Sequence, residues 1–166
     1  RGPLHGGANE AAMEMIENWT SPEEAEREMM GKLERKEKIM GFGHAIYKDN
    51  DPRNGIIKIW SEKLAKDVGD TVLYPVSVRC EEVMWREKKL FCNADFFHAS
   101  AYHFMDIATK LFTPLFVMSR VTGWAAHVME QRADNRIIRP SADYTGPELR
   151  KVTPIGEREA AEVDEF

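Results

Sequence analysis

The sequence predicts an all-α protein, and three observations carry that prediction. Apolar residues recur at helical spacing in almost every segment, and Ser-Pro and Asp-Pro pairs mark helix starts. No stretch carries a strand signal longer than four residues, and there is no internal repeat or heptad seam.

Residues 8–19 place Ala11, Ala12, Met15, Ile16 and Trp19 on one stripe, which predicts a first helix. Ser21-Pro22-Glu23-Glu24 starts the next: Ser as N-cap, Pro at the first helical position, Glu three residues after the cap. That helix has only a thin apolar line through Ala25, Met29 and Leu33, so it belongs on the surface. Gly41-Phe42-Gly43-His44 breaks the helical pattern. Asp51-Pro52 then opens a helix expected to turn Ile56, Ile57, Trp60 and Leu64 inward and to stop at Gly69. Pro75 precedes a helix with Val76, Cys80, Val83 and Met84 on one face. Asn93-Ala94-Asp95 caps another, running through Phe96, Phe97 and Phe104. Pro114 opens a long helix, apolar almost all round and so expected at the centre of a bundle. After Asn135 the pattern turns irregular, and the tail 156–166 is acidic.

Composition narrows the function classes. A hydrophobic share of 43% with 31% charged residues is globular, and a net charge of -5 offers no broad basic field for nucleic acid. Cys80 and Cys92 are isolated, which suits core packing in a reducing compartment and points to the cytoplasm. The longest apolar stretches are interrupted at Arg120 and too short to cross a membrane. The opening Arg1-Gly2-Pro3-Leu4-His5 has no apolar run and reads as the middle of a longer protein.

Several residues depart from what a helical bundle needs. His5 lies between glycines just before a helix, where the dipole disfavours an imidazolium and a neutral ring can donate to a forming enolate. The bland alternative is a loop histidine. Arg53 falls in the first turn of the helix capped by Asp51, where a cation opposes the dipole. Either it holds an anion there, or it pairs at the surface with Asp49 or Asp51. Asp95 at a helix start reads equally as an ordinary cap. Arg120, inside the most apolar helix, must be paired or line a polar cavity. Arg139 follows two apolar residues on a loop. His98 and His103 are five apart, not the four that sets two metal ligands on one helical face, so no metal site is expected.

The stretch from Gly41 to Arg53, Gly-Phe-Gly-His-Ala-Ile-Tyr-Lys-Asp-Asn-Asp-Pro-Arg, resembles the citrate synthase signature. Gly2-Pro3-Leu4-His5-Gly6-Gly7-Ala8-Asn9-Glu10 is similar to the family segment with the first catalytic histidine, and Asn93-Ala94-Asp95 to the one with the catalytic aspartate. The resemblance runs from Arg1 to about Pro147, with the motifs in the family's order, and covers the C-terminal part of a family member.

The resemblance implies a citrate-synthase-like helical fold: residues 1–107 as a small catalytic, CoA-binding domain and 108–166 as the return into the large helical domain. It implies a triad of Asp95 as base, His5 as donor to the enol and His44 as acid toward oxaloacetate. Arg53, Arg120 and Arg139 would clamp the oxaloacetate carboxylates together with His44, with Arg139 reaching in from the partner of a homodimer. Ile39, Met40, Gly41, Phe42 and Gly43 match the loop that recognises the adenine of CoA, and Lys48 a position near its phosphates. The CoA thioester is a substrate, so no cofactor is implied. The runs 112–127 and 138–147 are most similar to the 2-methylcitrate branch of the family, which uses propionyl-CoA in propionate catabolism. Two readings stay open beside it: a citrate synthase of the tricarboxylic acid cycle taking acetyl-CoA, and a helical fragment without activity of its own.

Overall fold

The computed structural model describes residues 6–149 and 151–158, and His5 lies outside them. Among the described residues there are six α-helices: α1 (Ala8–Ile16), α2 (Pro22–Glu34), α3 (Pro52–Val68), α4 (Leu73–Lys88), α5 (Ala94–Phe104) and α6 (Phe112–Ala133). The one β-type pairing described is an isolated antiparallel bridge between Phe42 and Cys92. No described helix is long and apolar enough to cross a membrane. The chain divides into two compact units, residues 1–128 and 129–166.

Local caps set the helix boundaries of the first unit. Ser21 Oγ accepts from the Glu24 amide, while the Glu24 carboxylate reaches back to the amide and hydroxyl of Thr20 at 2.8 and 2.7 Å. This is the capping box displaced by one residue. The α3 helix starts on the Asp51 side chain and ends at Gly69, whose φ of 72° suits glycine; the Asp70 amide then donates to Ala65 O at 2.8 Å. The start of α4 lies two residues before Pro75, because the Asp70 carboxylate accepts from the amides of Leu73 and Tyr74 at 3.0 and 2.8 Å.

The core forms where α5 packs against α1 and α3 while α4 packs against α2. Phe96, Phe97, Met13, Ile16, Met29, Val76 and Val83 are fully enclosed in it. Burying each aromatic or branched side chain of this kind contributes about 1.5–3 kcal/mol. Cys80 and Cys92 are both free thiols within it. Burial pushes the Cys80 thiol up to about 12 and raises that of Cys92, which leaves both unreactive.

Three faces differ from the periodic reading. In α1, Met13 is buried while Ala11 and Met15 are half-covered, so the stripe is Asn9, Ala12, Met13 and Ile16. In α3, Ile56 and Trp60 are 65% and 54% exposed, and the enclosed residues are Ser61 and Ala65. The reason is close packing on α5, where Ser61 Oγ lies 2.7 Å from Ser100 Oγ in a buried pair. Small side chains permit that approach; Ile57 and Leu64 pack partly buried against the core as expected, and Ile56 and Trp60 are left on the outer side. Finally, α6 starts at Phe112 and its first turn is anchored: Phe112 packs on Tyr102, and the Thr113 amide donates to the Glu10 carboxylate at 3.1 Å. Beyond that turn the helix is exposed on nearly every face and does not sit at the centre of a bundle among the described residues. An apolar helix needs neighbours on all sides, and the described residues supply them only at its start.

In the second unit, Arg136 pairs with Asp134 at 3.2 Å, and the Tyr144 hydroxyl donates to Pro147 O at 3.0 Å. Arg139 lies there, exposed.

Candidate active site

The glycine loop before α3 and the start of α5 are bound to each other by backbone and side-chain bonds. The Gly43 amide donates to Phe91 O at 2.8 Å, and the Asn93 amide donates to Gly41 O at 2.9 Å. Asn93 Nδ2 donates to Gly43 O at 3.0 Å, while Asn93 Oδ1 caps α5 by accepting from the Asp95 amide at 3.0 Å. Gly41 has φ 92°, and a Cβ there would lie 2.9 Å from the Phe96 ring, so both the conformation and the space demand glycine. Phe42 packs on Phe96 with ring centres 4.6 Å apart. This seats Ile39, Met40, Gly41, Phe42 and Gly43 against α5, partly or fully covered.

His44 follows directly on this seat. Its Nδ1 accepts from the amides of Ile46 and Tyr47 at 3.1 and 3.2 Å, and its ring lies on Tyr47 at 4.5 Å. An Nδ1 that accepts carries no proton, so the neutral ring carries it on Nε2, as a donor. Lys48 points into solvent, with Nζ donating to Ala45 O at 3.0 Å.

Asp95 sits in the first turn of α5, but Asn93 is the cap. The aspartate is therefore free of the role that an acid at a helix start usually plays. Burial raises its carboxyl above the ordinary range, against the opposing pull of His98, Arg53 and Arg120 and with a further upward push from Asp51. Arg53 makes a bidentate pair with buried Asp51, through Nε at 2.9 Å and Nη2 at 2.8 Å. That bond to Arg53, chiefly, holds the Asp51 carboxyl down at about 2. Two carboxyls of one site are thus driven apart, one toward a proton acceptor of useful basicity and one toward a permanent anion. Arg120 is exposed, its guanidinium stacked 3.9 Å from the centre of the Phe116 ring; it is neither in a buried ion pair nor enclosed, because its helix lacks cover. It still acts electrostatically on Asp95. The structure therefore places Arg53 and Arg120 where they act electrostatically on Asp95 and ties the loop of His44 to the helix of Asp95.

Against known families, residues 1–141 match the family model "Citrate synthase, C-terminal domain". The chain belongs to the citrate synthase family. It is 74% identical over 158 residues to the 2-methylcitrate synthase of Shewanella oneidensis, covering 95% of this chain and 42% of that protein. It is 51% identical to citrate synthase 2 of Bacillus subtilis over the same shares. Among solved structures, the citrate synthase of Thermoplasma acidophilum, in ternary complex with carboxymethyl coenzyme A and oxaloacetate, superimposes with a TM-score of 0.74 at 37% identity, covering 95% of this chain and 43% of that one. The chain thus spans less than half the length of the relatives it matches.

Two residues of this candidate site escaped the reading of the sequence. Asn93, read only as a cap, also holds the carbonyl before His44. His98 is half-buried, with Nδ1 bonded to Ala94 O and its ring on Tyr102, and it acts on Asp95. Its spacing of three from Asp95 puts both on one helical face, a signal that a search for metal ligands passes over.

Proposed function

We propose that this chain is the catalytic C-terminal part of a 2-methylcitrate synthase, which condenses propionyl-CoA with oxaloacetate and water to 2-methylcitrate and CoA. The observation that carries the reaction class is Asp95: a carboxyl raised by burial, relieved of capping by Asn93, and facing the field of two arginines. A weakly acidic proton beside a thioester carbonyl needs such a base. His5 donates to the enol oxygen that forms, and His44, with its proton on Nε2, gives it to the ketone oxygen of oxaloacetate as the carbon–carbon bond closes. Water then cleaves the thioester and releases CoA. Arg53 and Arg120 clamp the oxaloacetate carboxylates, with Arg139 supplied by the partner of a homodimer. The loop 39–43 takes the adenine of CoA, and Lys48 lies toward its phosphates. Residues 1–107 form the small domain, whose closure over the substrates excludes water, and 108–166 return to the large one. The enzyme works in the cytoplasm, in propionate catabolism.

The 74% identity to a 2-methylcitrate synthase supports propionyl-CoA over acetyl-CoA. The test compares kcat/KM for the two thioesters at saturating oxaloacetate, in a full-length synthase carrying this segment. Losing one buried methylene is expected to cost acetyl-CoA about 10–200-fold. A ratio favouring acetyl-CoA overturns the acyl assignment in favour of a citrate synthase.

A further inference from the structure

We infer that Asp51 is a positioning residue that couples the oxaloacetate arginine to the helix of the catalytic base. The inference rests on the synthase reading above. Asp51 is only 3% exposed, and each of its carboxylate oxygens accepts twice. Oδ1 takes the Arg53 amide at 3.0 Å and Arg53 Nε at 2.9 Å. Oδ2 takes Arg53 Nη2 at 2.8 Å and the Ala94 amide at 2.9 Å. Capping α3 needs only the first of these bonds, and Ser21 does the same for α2 with a hydroxyl.

The other three bonds have no part in starting a helix. The fork fixes the plane of the guanidinium and leaves its Nη1 edge to meet an incoming carboxylate. The same carboxylate holds the amide directly before Asp95, forty-three residues further along the chain. Arg53 in turn lies 5.8 Å from the centre of the Tyr47 ring, and Tyr47 lies against His44. One buried anion therefore sets the orientation of the arginine, and through two different contacts it reaches both the base and the acid. A shift of Arg53 at Asp51 is passed to α5, because the two share an oxygen.

The experiment uses a full-length synthase carrying this segment, with three single variants and one double variant. Asp51→Ser keeps a cap but reaches neither the guanidinium nor Ala94. Asp51→Asn keeps the shape but loses the charged fork. Arg53→Ala reports the arginine alone. Oxaloacetate affinity is measured by calorimetry, and kcat and both KM values are measured at a temperature where circular dichroism shows each variant folded. Asp51→Ser is expected to weaken oxaloacetate binding by about 100-fold and to lower kcat, with the KM for propionyl-CoA unmoved. Asp51→Asn is expected to fall between it and the wild type, and Asp51→Ser on an Arg53→Ala background to add little to the binding loss. If Arg53→Ala loses oxaloacetate while both Asp51 variants bind it as the wild type does and only melt earlier, Asp51 is a cap and the inference is overturned. If Arg53→Ala also binds oxaloacetate normally, the synthase reading of this site falls with it.

Discussion

Phe96 and Trp124 are both aromatic residues on apolar helical faces, yet Phe96 is fully enclosed and Trp124 is 48% exposed. The contrast extends to their regions. Around Phe96, residues 41–53 and the start of α5 are joined by bonds that use backbone, asparagine and aspartate together. Around Trp124, Val117, Val121 and Val128 stand open along α6. Both segments have the composition of a protein interior, but among the described residues only one finds its complement. Burial is a property of pairs of surfaces, so an apolar face records that a partner exists and not where it is encoded. The polar residues of the loop and of the start of α5 find their partners in each other, since their bonds close between these two short segments.

The largest expected effect tests the chemistry of the enclosed region. In a full-length synthase, Asp95→Asn removes the base while Asn93 still caps α5. Exchange of the acyl-CoA α-proton is expected to fall by about 10²–10⁴, followed by loss of deuterium wash-in at the α-carbon. The fold is expected to gain stability, because a carboxyl raised by burial favours the folded state only when protonated, below its ordinary value, and that contribution is lost as pH rises. Near-normal exchange would remove Asp95 from the mechanism.

The next effect is electrostatic and concerns the anion that joins the two segments. Asp51 is held down at about 2 from an ordinary 3.8, so its contribution is complete above the ordinary value and is lost as pH falls toward about 2. A shift of that size corresponds to about 2 kcal/mol. Chemical unfolding of the wild type and of Asp51→Asn, measured between pH 6 and pH 3, is expected to show the stability gap between them closing on acidification. A gap independent of pH would mean that the charge on Asp51 contributes nothing to joining the loop and α5.

These residues also mark what was legible in the sequence. Caps are local, and Ser21, Asp51, Gly69 and Asn93 stand where their side chains or backbone freedom indicated. The all-α class and the Asp51–Arg53 pairing, one of two readings open for that arginine, followed from spacing. The inward face of α3 followed only in part: Ile57 and Leu64 pack against the core, but Ser61 and Ala65 are enclosed through the approach of α5, a fact about a second helix. The second role of Asp51 was hidden for the same reason, because Ala94 is distant in sequence. For α6 the periodicity identified an apolar helix, but among the described residues only Phe112 at its start is buried.

The smallest effect sharpens the contrast between Phe96 and Trp124. In the isolated chain Trp124 is half-exposed, so Trp124→Ala removes little buried area, and the change in unfolding free energy is expected to stay within about 0.5 kcal/mol. Binding of a hydrophobic dye is expected to decrease, because the indole is part of the open face. In a full-length synthase, where the rest of the polypeptide can cover α6, the same truncation is expected to cost about 3–5 kcal/mol, the range for an enclosed aromatic. The difference between the two backgrounds measures the cover itself, since the substitution and the local sequence are held constant. A large loss already in the isolated chain would mean that Trp124 is enclosed by residues within it. A small loss in both would mean that the face stays open in the whole enzyme, and the exposure of α6 would then be a property of the fold and not of the missing surfaces.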